Sequence, residues 1–424
     1  MFSLTISFNL HPNQERIQNN IEMLATMVDQ SKPGWTRRPF TSWYKEGRAW
    51  LKQQMEQAGL QVSIDAGGNL IGRLSGSEEH LKPIMIGSHT DTVTGGGRFD
   101  GIIGVIAGIE IARRLQETGT TLRHTLEIVD FTAEEPSEFG ISTIGSRSMV
   151  GNLTAEMLER TDQTGLVLDE GIRMIGGNPD EIYETARKTG DVSLYLELHI
   201  EQGPVLEQNN MKLGVVTGIV GIHRYRVIVE GKPNHAGTTP MNMRFDALTG
   251  ASELVLELEN LCKFTYSDPV VGTVGKFTNE PNGANVIPGR VIFELEVRSI
   301  DSEIIENIMS SFSKYAALVA AKRQLDISLD NLSKSDSIRV LPDVQDKIAA
   351  ACSATGKTQY LPSGAGHDAN QLASIAPVGM IFVPSREGRS HCPEEWTDFA
   401  EVALGVEALA RALINFDQDY IERR

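Results

Sequence analysis

Short apolar runs, each closed by glycines or by histidine and acidic side chains, recur through the first half of this 424-residue chain. Ile84 to Ser88, Leu126 to Thr132 and Leu194 to His199 predict buried strands, and the stretches between them, such as Ile102 to Leu115, carry helical patterns. Upstream, apolar residues at Tyr44, Leu51, Met55 and Ala58, with Gly59 as a stop, predict an amphipathic helix from Ser42 to Ala58. Leu60 to Ile64 and Asn69 to Leu74 flank an Ala-Gly-Gly turn and predict a hairpin. Such alternation marks an α/β domain.

The pattern changes after Gly214. Tyr225, Val227 and Val229 alternate with Arg224, Arg226, Ile228 and Glu230, which predicts a strand with one face in water. A helix from about Asp246 to Leu261, strands at Gly272 to Phe277 and Val291 to Arg298, and a helix from Ser302 to Lys322 complete what reads as a small α+β insert. The α/β character resumes near Ser337. Val402, Val406, Leu409 and Leu413 then form an apolar stripe on a final helix that can pack back on the first domain. The expected organisation is one discontinuous domain, residues 1–214 with 336–424, interrupted by a second, residues 215–335. There is no internal repeat and no low-complexity segment.

Composition narrows the partners. Asp and Glu number 56 against 39 Lys and Arg, a formal charge of -17, which argues against nucleic acid and anionic membranes. Cys262, Cys352 and Cys392 lie far apart and fit no zinc-finger spacing, pointing to a reducing compartment. Cys392 follows a candidate ligand but reads as a packing residue. The opening MFSLTISFNLHPNQ lacks the basic and apolar regions of a signal peptide, and no run of about 18 apolar residues is present, so the expected location is the cytoplasm.

The candidate chemistry starts in IMIGSHTDTVTGGGRFDGIIGV, residues 84–105. His89 and Asp91 stand at the carboxyl end of a predicted parallel strand, where open α/β sheets place ligands. Gly95, Gly96 and Gly97 allow a tight turn, and Asp100 and Gly101 close the loop before a helix. By itself a His-x-Asp pair more commonly marks a satisfied surface histidine. Metal-type residues recur, however, in five segments: His89 with Asp91, Asp100, Glu134 with Glu135, His199 with Glu201, and His391. The adjacent glutamates either divide ligand and proton-transfer roles or merely begin an exposed turn. Histidines and carboxylates without cysteine suit Zn, Mn, Co or Ni rather than a closed structural zinc site. Two such ions sharing one carboxylate would lie about 3.5 Å apart and could polarise a carbonyl and activate water.

Seven motifs in order, GSHTDTV with GGGRFDG, TAEEPSEFG, ELHIEQGPVLE, KPNHAGTTPM, NGANVIPGRV and GRSHCPEEW, carry a resemblance running from Trp35 to Trp396. The chain resembles the amidase branch of the dinuclear zinc-peptidase superfamily. That branch holds N-carbamoyl-L-amino-acid hydrolases, β-ureidopropionases of one type and allantoate amidohydrolases. The resemblance implies two divalent ions held by His89, Asp100, Glu135, His199 and His391, with Asp100 bridging. Asp91 would accept a hydrogen bond from His89 and fix its tautomer, and Glu134 would be the general base. It further implies an α/β zinc-peptidase-like catalytic domain and an α+β lid that makes a homodimer, from which His235 reaches the neighbouring subunit's active site to hold the oxyanion.

For the substrate it implies contacts from Gln202, His235, Asn285, Arg298 and Gly366. The residues alone leave other readings open. Arg298 shares a strand face with Glu294 and Glu296 and could be an ordinary ion pair rather than a carboxylate clamp. Asn285 could serve a turn, His235 could cap the helix near Asp246, and His367 and Asp368 could be structural. The activity implied is hydrolysis of the ureido C–N bond of an N-carbamoyl-L-amino acid to the amino acid, carbon dioxide and ammonia. GRFDGIIGVIAGIE resembles the carbamoyl-amino-acid enzymes more than the allantoate enzymes. The alternatives are an allantoate amidohydrolase, a β-ureidopropionase, a peptide-cleaving relative, and a catalytically silent binding protein that keeps the fold.

Overall fold

In the computed structural model, residues 9–264, 266 and 269–418 are described. The opening residues 1–8, part of the stretch read above for an export signal, lie outside them. Contacts divide the chain into two units. The first takes the chain up to Thr217, Val340–Ser363 and the chain from His367 on; the second takes Gly218–Arg339 with Gly364–Gly366.

The first unit is built on a mixed sheet. Its strands run in the order Gln61–Ile64, Leu70–Leu74, Leu126–Phe131, Ile84–His89, Leu194–Ile200, Val378–Val383, Leu213–Ile219 and Ile338–Arg339, and Thr358–Ser363 also pairs with Leu213–Ile219. Four neighbours in the middle of this order, from Leu126–Phe131 to Val378–Val383, are mutually parallel, so their carboxyl ends share one edge. Every residue of these four strands is buried. That is why each appears in the sequence as a continuous apolar run rather than an alternation. The outer pair, Gln61–Ile64 with Leu70–Leu74, is the predicted antiparallel hairpin.

Helices Gln14–Leu24, Ile102–Thr118 and Phe399–Gln418 supply the cover. Ile17, Ile21, Ile103, Ile106, Val402, Val406, Leu409 and Leu413 share one core with Ile86, Ile128 and Leu198. The stripe predicted on the last helix is therefore the face it buries, and each such side chain contributes about 1.5–3 kcal/mol. Thr41 caps the helix Ser42–Gln57 by accepting from the Tyr44 N–H. A second cluster gathers Phe40, Tyr44, Phe139, Ile144, Leu168 and Ile172.

In the second unit, strands Asp326–Ser335, Gly221–Glu230, Arg290–Ser299 and Val270–Glu280 form an antiparallel sheet in that order. Val291, Phe293, Leu295 and Val297 point inward to helices Ala247–Lys263 and Ser302–Arg323, while Glu294, Glu296 and Arg298 take the other face. Asp246 caps the first of these helices by accepting from the Leu248 and Thr249 N–H groups, a place the sequence left open to His235. The strand Asp326–Ser335 is absent from the sequence expectation. It is an edge strand, mostly exposed, and apart from Ile327, Leu329 and Leu332 it carries only polar residues. No described helix is long and apolar enough to cross a membrane.

Asp417, near the end of the last helix, ties that helix to the sheet. Its carboxylate accepts from the N–H groups of Arg123 (3.0 Å) and His124 (2.8 Å) and lies 2.9 Å from His124 Nδ1. Burial opposes its ionisation, but the His124 ring and the two amides outweigh it and hold the carboxyl below the usual range. A carboxyl depressed in the folded state stabilises fully above its unfolded value of about 3.9 and loses that contribution as pH falls through the lower folded value. Asp417→Ala is expected to cost about 1–3 kcal/mol at neutral pH, leaving amides unsatisfied. The gap from wild type should narrow below about pH 4, which thermal unfolding at several pH values measures.

Candidate metal centre

The parallel register brings the candidate ligands to one edge. His89 is the last residue of its strand, Glu134 and Glu135 follow Phe131 by three and four residues, and His199 is the penultimate residue of its strand. His391 comes from the segment after Val383, and Asp100 from the loop before helix Ile102–Thr118. Gly101 has φ +68°, and a Cβ there would lie 2.4 Å from the His89 ring, so only glycine lets loop and imidazole approach this closely. Ala133, Gln202 and His391 also have positive φ, at 50°, 57° and 58°. Strained backbone on three site segments is tolerated only where surrounding structure enforces it.

Two donor groups share Asp100. Its Oδ1 lies 3.1 Å from His199 Nε2 and 3.9 Å from His89 Nε2, while its Oδ2 lies 3.1 Å from His391 Nε2, which is 3.3 Å from Glu135 Oε1. Glu134 Oε2 stands 3.7 Å from His89 Nε2. Donors about 2.1 Å from one tetrahedral ion lie about 3.4 Å from one another, so these spacings fit a cation in each group. The ring orientations fit as well. His199 Nδ1 is 2.9 Å from the Ile200 carbonyl and His89 Nδ1 is 3.1 Å from that of Asp91, so each Nδ1 donates and each Nε2 turns a lone pair toward the carboxylates. With the rings neutral, acceptor faces acceptor, so either a proton added to each ring or a cation must stand between them. His89, Asp100 and His199 form one such set, and Asp100, Glu135 and His391 the other.

Charge follows the same logic. Burial, reinforced by Asp368, Glu135 and Asp91 against the opposing His89, drives the Glu134 carboxyl well above the usual carboxylate range. Burial likewise raises Asp91 to about 6. For Asp100 burial is outweighed by hydrogen bonds to His199 and His391, and its carboxyl is held well below the usual range. Hydrogen bonds to Asp100 and Glu135 push His391 up to about 11.

Asp91 departs from its expected role. The His89 tautomer is set by the Asp91 main-chain carbonyl, whereas the carboxylate stands 3.6 Å from the ring. That carboxylate instead accepts from the backbone N–H of Glu134 (3.0 Å) and of Glu135 (3.1 Å), clamping the turn that carries both glutamates. Glu201, grouped with His199 in the sequence, turns away and accepts from the Val205 and Leu206 N–H groups. Gln202 directs its amide Nε2 to Asp100 Oδ2 at 2.7 Å, with Ser390 Oγ and His391 Nε2 at 3.3 and 3.4 Å. His367 packs edge-on to His199 with ring centroids 4.6 Å apart, and Asp368 accepts from Ser146 Oγ at 2.5 Å.

The remaining predicted contacts lie in the second unit. His235 and Asn285 are exposed and adjacent on a two-stranded ribbon that pairs His235 with Val286. The Gly237 and Thr238 N–H groups donate to His235 Nδ1 at 3.1 and 3.2 Å, leaving Nε2 as the protonated, donating nitrogen. Arg298 pairs with Glu296 at 2.5 Å, the ion pair its spacing allows, and also donates to the Gly364 carbonyl at 2.8 Å. Gly366 is exposed in the same segment. Sequence reasoning missed Glu197, whose carboxylate meets Ser88 Oγ (2.7 Å) and Tyr195 OH (2.9 Å). It also missed Glu395, which accepts from the N–H groups of Phe99 and Asp100. Glu197 shares a strand face with His199, two residues on, and that spacing is the signal that could have found it.

An α/β sheet with histidines and carboxylates converging on its carboxyl edge defines a metallohydrolase-type centre. Comparison with known proteins narrows the class. Peptidase family M20/M25/M40 matches residues 85–415, and the chain belongs to that family. It is 38% identical over 396 residues to the N-carbamoyl-L-amino acid amidohydrolase of Geobacillus stearothermophilus, covering 93% of this chain and 96% of that one. It is 35% identical over 403 residues to the allantoate amidohydrolase of Bacillus subtilis, covering 94% and 96%. The crystal structure of a hydantoinase/carbamoylase family amidase from Burkholderia multivorans superposes with a TM-score of 0.90 at 32% identity, covering 97% of this chain and all of that one. Within the family the chain falls in the amidohydrolase branch and is a hydrolase of non-peptide C–N bonds.

Binding of divalent ions to the folded state must raise its stability. Chelator-treated protein given Zn, Mn, Co or Ni at about one hundred times the dissociation constant should gain about 2.7 kcal/mol per site, read as a rise in the thermal transition. Loading should also release protons into weakly buffered solution, because ligand imidazoles must be deprotonated. A transition indifferent to all four ions would refute a metal centre.

Proposed function

We propose that this hydrolase cleaves the carbamoyl C–N bond of N-carbamoyl-L-amino acids, giving the amino acid, carbon dioxide and ammonia. The observation that carries the reading is the convergence of two donor sets on one carboxylate, Asp100, with Glu134 beside them. His89, Asp100 and His199 would hold one divalent ion, and Asp100, Glu135 and His391 the other. When bound, such a pair polarises the substrate carbonyl and lowers the pKa of water.

The chain's own residues do the rest. Glu134 takes the proton of the attacking water and hands it to the leaving nitrogen, a role suited to a carboxylate whose environment raises its basicity. The clamp of Asp91 on the amides of Glu134 and Glu135 keeps base and ligand in fixed relation. His235, with Nδ1 committed to two amides, offers a donating Nε2 to the oxyanion, and in a homodimer it would serve the neighbouring subunit's site. Asn285 stands beside it. Arg298 would bind the substrate carboxylate through its guanidinium, and Gln202 and Gly366 would be weaker substrate contacts.

Ammonia release across a panel of N-carbamoyl-L-amino acids, N-carbamoyl-β-alanine, allantoate and a dipeptide tests the reading. Turnover of the carbamoyl amino acids should dominate; preference for allantoate or N-carbamoyl-β-alanine would replace this substrate, and hydrolysis of the dipeptide alone would overturn the reaction class. Glu134→Gln should lower kcat by about 10²–10⁴-fold with metal content unchanged, and near-normal turnover would refute the base. Arg298→Lys keeps the charge but loses the bidentate fork, so KM should rise while kcat changes little. An equal fall in kcat and kcat/KM would place Arg298 at the reacting centre instead.

A further inference from the structure

Two loops far apart in sequence supply Asp100 and His391, and one buried carboxylate joins them. Glu395 is 2% exposed and lies four residues beyond His391. Its Oε1 accepts from the backbone N–H of Phe99 at 2.9 Å and of Asp100 at 3.1 Å. Its Oε2 lies 2.9 Å from Ser390 Oγ, the residue before His391, and Ser390 Oγ is itself 3.0 Å from Asp100 Oδ2. The single Ser390 proton serves one carboxylate at a time. The approach depends on Gly97, because a Cβ there would lie 2.0 Å from Glu395 Oε1. Glu395 thus sits where the backbone of one ligand and the neighbour of the other can be held together, without facing the donor atoms itself.

We infer that Glu395 is a positioning residue that ties the Asp100 loop to the His391 loop, so that the ligands of the Asp100, Glu135 and His391 set arrive as one preformed unit. This rests on the two-ion reading above. His391 needs such support. It is exposed, it has a positive φ, and no regular element holds it, whereas His89 and His199 are fixed by parallel strands. Loss of the tie should therefore act on one metal position and spare the other. Groups that orient metal ligands are typically worth about 10–100-fold in affinity.

The test is titration of metal-free protein with Co(II), followed by calorimetry and by visible absorption, in wild type, Glu395→Ala, Glu395→Gln and Ser390→Ala. Wild type should take up two equivalents. Glu395→Ala should bind one of them about 10–100-fold more weakly, with loss of one component of the cobalt spectrum and the other unchanged. Glu395→Gln keeps an oxygen for the Phe99 and Asp100 amides and should recover most of the lost affinity. Ser390→Ala, which leaves those amide bonds intact, should weaken the same equivalent by less and keeps the question answerable if Glu395→Ala does not fold.

Wild-type affinity at both positions in Glu395→Ala would overturn the inference. So would equal loss at both positions in step with a lower thermal transition of the metal-free protein, which would make Glu395 a general stabiliser. Uptake of fewer than two equivalents by wild type would instead bring down the two-ion reading, and this inference with it.

Discussion

Buried negative charge is the constraint from which the rest of the first unit follows. Asp91, Asp100, Glu134 and Glu135 are each at most 7% exposed, and Glu197, Asp368 and Glu395 are buried around them. Carboxylates in such a place must be neutralised by protons, hydrogen-bond donors or cations, since an uncompensated buried charge costs several kcal/mol. Two buried guanidiniums are committed to other partners. Arg48 reaches Asp130 at 3.5 Å, and the fully buried Arg37 gives its donors to the Thr90, Leu24 and Met27 carbonyls. Toward the strand ends the carboxylates meet imidazoles and neutral donors, with Nε2 of His199 and of His391 each 3.1 Å from Asp100.

Holding these groups against their mutual repulsion explains the local structure. Parallel strands fix His89 and His199 with no freedom beyond their side-chain torsions. The groups supplied by loops need other devices. Asp91 clamps the Glu134 and Glu135 amides, Gln202 reaches Asp100, and Gly101 lets the loop come within contact of His89. Positive φ at Ala133, Gln202 and His391 marks where the chain is forced to serve the site rather than its own conformational preference.

Much of this is legible in the amino-acid order, for a physical reason. Strands buried on both faces must be continuous apolar runs, and a ligand at a strand end must be the polar residue that terminates the run. The positions of His89 and His199 at strand ends could therefore be read from spacing, with their ligand roles implied only by the resemblance, and the helix stripes could be read from their period. What spacing cannot show is where a side chain turns. Asp91 and Glu201 both stand two residues from a histidine ligand candidate, yet one clamps backbone amides behind the site and the other caps a short helix outside it. Glu395 was invisible for the same reason, since its partners lie almost three hundred residues away. The edge strand Asp326–Ser335 escaped because an exposed strand has few apolar positions to make an alternation.

The same burial also sets the chemistry of Glu134. Its carboxyl is lifted well above the usual range by desolvation and by Asp368, Glu135 and Asp91, with His89 opposing. A carboxyl lifted in this way holds its proton more tightly than a free one. Positive charge introduced beside Asp100 and Glu135 acts in the opposite direction on the same carboxyl, lowering it toward the operating range. The acidic surroundings and the cations they attract are then two halves of one adjustment. The carboxylates raise the proton affinity of Glu134 and cations beside them lower it, so the two together set how basic this carboxyl is.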